Sequence, residues 1–118
     1  MRRIARWLVA VAVVISAGLA WAQQTVFDAA TLTITTGGTS QQVFAYNQSR
    51  RFLLIENPVA ATETLFCNFG ATASLTLGTS ISLVAGGSYY AVQPNFVPKD
   101  AINCNATTTG HAFTAKEG

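Results

Sequence analysis

Charge is what this 118-residue chain has least of: Asp, Glu, Lys and Arg together make up 10% of it. Three of its seven basic residues, Arg2, Arg3 and Arg6, fall in the first six positions. From Gln23 onward, Arg50, Arg51, Lys99 and Lys116 stand against Asp28, Glu56, Glu63, Asp100 and Glu117, so the net charge is 4 − 5 = −1. So neutral a chain offers no basic face for nucleic acid and no polybasic patch for an anionic membrane. Histidine is also scarce, with His111 alone, and there are only two cysteines. No Ser-His-Asp order, phosphate loop, C-x-x-C or zinc spacing occurs. No catalytic, cofactor-binding or metal-ligating set is therefore expected, and the chain reads as a non-enzyme. His111 follows Gly110 at the head of a strand pattern and has no marked partner for acid–base work. A surface or half-buried strand histidine is the expectation. Glu56 and Glu63 flank one loop and frame at most a weak cation site. For the Arg50-Arg51 pair, which could grip a carboxylate or a sugar, a surface pairing of one arginine with Glu56 or Asp100 is the simpler expectation.

Long hydrophobic runs are missing too, except at the start. Met1-Arg2-Arg3-Ile4-Ala5-Arg6 precedes an apolar run from Trp7 to Leu19, and Ala20-Trp21-Ala22-Gln23 follows. This is the order of a signal peptide: basic segment, apolar helix, small-residue cleavage site at Ala20 and Ala22 before Gln23. The run is shorter than the roughly 20 residues of a spanning helix. The expectation is a signal helix over 1–22, a loose arm over 23–30 and one domain over 31–118. The processed product would be secreted or periplasmic, without a membrane anchor.

Beyond the leader the pattern alternates with period two, and no amphipathic helix is visible. Strand signals run over Thr31–Thr35, Gln41–Tyr46, Arg51–Asn57, Thr64–Phe69, Ser80–Val84, Ser88–Val92, Ala101–Asn105 and His111–Lys116. Arg51–Asn57 is apolar on both faces, which suits a central strand. About eight short strands with turn signals between them predict an all-β fold, a single small antiparallel β-sandwich of jelly-roll-like character. Cys67 shares parity with Leu65 and Phe69, and Cys104 with Ile102, so both thiols point toward the core. Export to an oxidising compartment makes a Cys67–Cys104 disulfide the favoured reading. Closing that loop is worth about 4 kcal/mol. The alternative is two buried free thiols packed as small hydrophobes.

Arg50-Arg51-Phe52-Leu53-Leu54-Ile55-Glu56-Asn57-Pro58 is followed by Asn68-Phe69-Gly70, Ile81-Ser82-Leu83, Gly86-Gly87, Val97-Pro98, Ala101-Ile102 and a terminal Glu117-Gly118. Over residues 48–118 this plan resembles small tailed-phage β-sandwich proteins of the virion or head-decoration kind. The resemblance implies a structural module that docks onto a larger assembly. The leader and the two core cysteines depart from that plan.

Tyr89 and Tyr90 are neighbours on a strand, so one faces the core and the other solvent. With Phe96 in the following loop they form a candidate binding patch of the kind sugars recognise. A glycan-binding or adhesion module of the cell envelope is therefore the second functional reading. Partners under the two readings are a virion or envelope assembly, a glycan, or further copies of the chain. Asn47-Gln48-Ser49 and Asn105-Ala106-Thr107 match the glycosylation sequon.

Overall fold

The computed structural model describes residues 28–76 and 78–118, and the side chains from Leu32 onward. The signal segment 1–22, its cleavage residues Ala20, Ala22 and Gln23, and the arm as far as residue 27 lie outside the described residues. Eight strands follow in order: β1 Asp28–Thr33, β2 Gln41–Phe44, β3 Phe52–Glu56, β4 Leu65–Phe69, β5 Ile81–Leu83, β6 Ser88–Val92, β7 Ile102–Asn105 and β8 Ala112–Glu117. No helix occurs among the described residues.

The strands form two four-stranded antiparallel sheets, β1-β8-β3-β6 and β2-β7-β4-β5. The all-β expectation holds, and β3 is interior to its sheet as its two-faced apolar pattern requires. Strand boundaries moved where a partner set them. β1 begins at Asp28, inside the stretch read as an arm, because all six residues of β8 pair with it from Asp28↔Glu117 to Thr33↔Ala112. β2 stops at Phe44, after a register shift between Gln42 and Phe44.

The inward residues of both sheets form one core. Leu53, Ile55, Ala91, Phe113 and Ala115 come from the first sheet. Phe44, Leu65, Cys67, Leu83, Ile102 and Cys104 come from the second. Each aliphatic or aromatic side chain buried this way contributes about 1.5–3 kcal/mol. Cys67 and Cys104 sit directly opposite one another in the β4–β7 ladder. They are disulfide-bonded, with Cα atoms 4.1 Å apart. The bridge therefore staples neighbouring strands of one sheet, and the free-thiol alternative is set aside.

The outer faces of the two sheets differ. On the second, residues 71–73 and 79 lie back against the strands and are held by asparagine amides. Asn68 Nδ2 donates to the carbonyls of Thr72 and Thr79 at 3.2 and 3.0 Å. Asn103 Nδ2 donates to Ala71 at 2.8 Å and Asn105 Nδ2 to Ala73 at 3.1 Å. Asn105 is thereby buried, which closes its sequon in the folded domain. On the first sheet, Phe52 and Leu54 of β3 pair with Val92 and Tyr90 of β6 on the outward side, and Tyr90 is 60% exposed.

Candidate functional site

The central strand β3 is bracketed by two polar side chains, Arg50 before it and Asn57 after it, both wholly buried. Each organises one end of the two-sheet domain. Buried polar groups persist only when their hydrogen bonds are met, and each residue achieves this by collecting loop backbone.

At the Arg50 end, the guanidinium Nε donates to Glu117 Oε2 at 2.7 Å. Its Nη1 donates to the carbonyls of Pro98 and Asp100 at 2.6 and 2.9 Å. Its Nη2 donates to the carbonyl of Ala45 at 3.0 Å. A planar fork with fixed donors can hold three chain segments at once, which an ammonium cannot do. Lys99 Nζ donates to the Arg50 carbonyl, and Asn47 N–H donates to the Lys99 carbonyl at 2.9 Å. The Gly118 carbonyl accepts from Arg51 and Phe52 N–H at 2.6 and 2.9 Å. The expected surface pairing of an arginine with Glu56 or Asp100 is thus corrected. Arg50 is interior and its ionic partner is Glu117, because the loops after β2 and after β6 turn three carbonyls inward onto its guanidinium.

At the other end, Asn57 Nδ2 donates to the carbonyls of Glu63 and Leu83, both at 2.9 Å. That fixes the amide so that Oδ1 faces His111 Nε2 at 2.8 Å. The other ring nitrogen, Nδ1, lies 3.1 Å from Glu63 Oε1. Thr108 donates to the same carboxylate from its N–H and its hydroxyl, each at 3.1 Å. His111 therefore sits between two acceptors, and only the doubly protonated ring donates to both. Sequence reasoning missed this cluster because Asn57 and Glu63, in the loop between β3 and β4, meet His111, just before β8, only through folding. Glu63 is committed to His111 and Thr108, and Glu56 stands apart, exposed on the outer face opposite Ser88 and Thr114. No cluster of three or more metal-ligating side chains occurs among the described residues.

The aromatic residues separate as strand parity requires. Tyr89 is half-buried with its ring 5.0 Å from that of Phe69, and burial pushes its phenol above the usual 10.0. Tyr90 faces solvent and meets Phe52 edge-on, with ring centroids 5.6 Å apart. Phe96, in the loop from β6 to β7, is 81% exposed, and Tyr46, which the sequence reading passed over, is 63% exposed. Both belong to loops that Arg50 braces. Among solvent-facing large apolar residues they share the domain with Val59 and Val84, which flank the Asn57 end. Tyr89 is thus separated from Tyr90, and the exposed aromatics are Tyr46, Tyr90 and Phe96.

No family model, no curated protein and no solved structure matches this chain.

Proposed function

We propose that this chain is an exported, non-enzymatic structural module that docks through the outer face of its first sheet onto a larger assembly, such as a virion or the cell envelope. The observation that carries the reading is the pair of contrasting outer faces. That of the second sheet is strapped by its own residues 71–73 and 79, whereas that of the first exposes Tyr90, with Leu54 and Val92 half-buried around it, and has no such strap among the described residues. An exposed aromatic on a sheet face of a nearly neutral domain suits association. The strand order supports a sandwich of the jelly-roll kind, since the chain changes sheet at every connection except β4 to β5. Capsid and lectin domains use that architecture, which is support by analogy of fold alone. The disulfide is compatible with an oxidising compartment, as the export reading requires. The non-enzymatic part rests on the two polar clusters, whose donors and acceptors are spent inside the fold.

The test is co-sedimentation of the processed chain with purified particles and with envelope fractions from its own source. Binding that is lost in Leu54→Ser and Tyr90→Ser, with folding retained, is the expected result. A chain that sediments with neither fraction overturns the reading.

One observation favours the glycan-binding alternative: Tyr46 and Phe96 are exposed on loops fastened by a buried arginine, and aromatic rings presented on rigid loops are suited to sugar faces. Glycan-array binding abolished by Phe96→Ala, with assembly binding absent, would select it.

A further inference from the structure

The first sheet ends in β6, and among the described residues β6 has one bonded side and one open side. Asn57 N–H donates to the Gly87 carbonyl and Gln93 N–H to the Arg51 carbonyl, at 2.9 and 3.0 Å. These two bonds bracket the β3–β6 ladder. An antiparallel ladder alternates, so the bonded pairs between them are Ile55↔Tyr89 and Leu53↔Ala91. The N–H and C=O groups of Ser88, Tyr90 and Val92 therefore point away from β3, along the open edge. Of these, the Val92 carbonyl also accepts from Asn95 N–H at 3.1 Å, which leaves it a second lone pair.

Native sheets guard such edges by brevity, a bulge, proline or charge. The second sheet follows this practice: β5 has three residues, and β2 has four with a register shift. At the other edge of the first sheet, β1 carries Asp28. β6 is Ser-Tyr-Tyr-Ala-Val, with no charge, no proline and no bulge, and Tyr89, Tyr90 and Val92 are strong strand formers.

We propose that β6 pairs antiparallel with β6 of a second copy of this chain across a two-fold axis at Tyr90, joining the two first sheets into one. One feature selects a second copy over an unrelated strand. The open edge is self-complementary about its central residue, because Tyr90 exchanges both its bonds with the partner's Tyr90 while Ser88 and the partner's Val92 do the same. On the outer face the two tyrosines become a cross-strand aromatic pair, each already flanked edge-on by Phe52. This deepens the docking reading and rests on it, since it uses the same sheet, but it is decided on the purified chain alone. A failure of particle binding and a failure of pairing are therefore separate results.

The experiment is sedimentation velocity on the chain expressed with export, over a wide dilution series, with amide hydrogen exchange at both ends of the series. The expected result is a dimer that dissociates on dilution. The amides of Ser88, Tyr90 and Val92 should be slow to exchange only in the dimer, and those of Tyr89 and Ala91 slow throughout. Tyr90→Lys places like charges across the two-fold and should be monomeric at every concentration while still unfolding cooperatively. Ser88→Lys, at an exposed position opposite the partner's Val92, should act likewise and serves if the first variant fails to fold. A wild type that is monomeric throughout, a dimer that survives these folded lysine variants, or protection that appears on another strand would overturn the proposal.

Discussion

The two ends of the domain solve the same problem with different chemistry. At each, a wholly buried polar side chain flanking β3 gathers loop backbone. Arg50 does so with a permanent charge, a carboxylate partner and three carbonyls from two loops. Asn57 does so with a neutral amide, with the His111–Glu63 contact beside it. An ion taken from water must recover far more than an amide must. The Arg50 end is therefore the one in which a single deletion leaves the most uncompensated, and it is also the end that displays Tyr46 and Phe96. Rigidity and exposed aromatic surface coincide there. At the Asn57 end the loops approach more closely: a Cβ on Gly37 would fall on the Thr107 carbonyl, so only glycine fits that crossing.

The sharpest way to break this comparison is Arg50→Ala. It strands the Glu117 carboxylate and three carbonyls together, and should destabilise the domain by about 3–5 kcal/mol, read as a shift in the denaturant midpoint at unchanged slope. Arg50→Lys should recover little, because one ammonium cannot span all four acceptors. If the lysine variant is as stable as the wild type, charge alone matters there and the fork geometry does not.

Asn57→Ala should have a smaller effect, about 2–3 kcal/mol, since it leaves the Glu63 and Leu83 carbonyls and one His111 nitrogen without their partner. The contrast is sharpened by the double variant. The two clusters share no residue, so their separate losses should add within about 0.5 kcal/mol. A larger departure would show that β3 transmits strain between the ends.

Much of this arrangement was legible in advance, and the exceptions have a common cause. Alternation located seven of the strands within a residue or two, put Cys67 and Cys104 on the core side, and separated Tyr89 from Tyr90, because strand parity is a local property. What could not be read was any feature that depends on loops meeting. Arg50 looked like a surface arginine since nothing near it in the chain supplies Glu117 or Pro98. His111 looked partnerless since Glu63 and Asn57 reach it only through the fold. The same holds for residues 71–73 and 79, whose small side chains give no hint that asparagines on two strands will hold them across a sheet. The start of β1 at Asp28 was hidden for a related reason: its alternation is weak, and the length of β8 decides it.

The smallest expected effect concerns a residue that belongs to neither cluster. Tyr89 lies on β6 against Phe69 of the other sheet, so it ties the two sheets together between the ends. Burial holds its phenol above the usual 10.0. The folded state thus keeps this proton at a pH where the unfolded chain releases it. The native form then binds more protons than the unfolded form, and stability must fall with rising pH. The contribution is intact below the ordinary tyrosine value and is lost as pH climbs through the raised one. Thermal melts taken at increasing alkalinity should therefore decline for the wild type above about pH 10. In Tyr89→Phe, which keeps the ring against Phe69 and removes the titrating hydroxyl, the decline should be shallower. An equally steep decline in that variant would place the alkaline loss elsewhere in the domain and remove Tyr89 from the account of what joins the sheets.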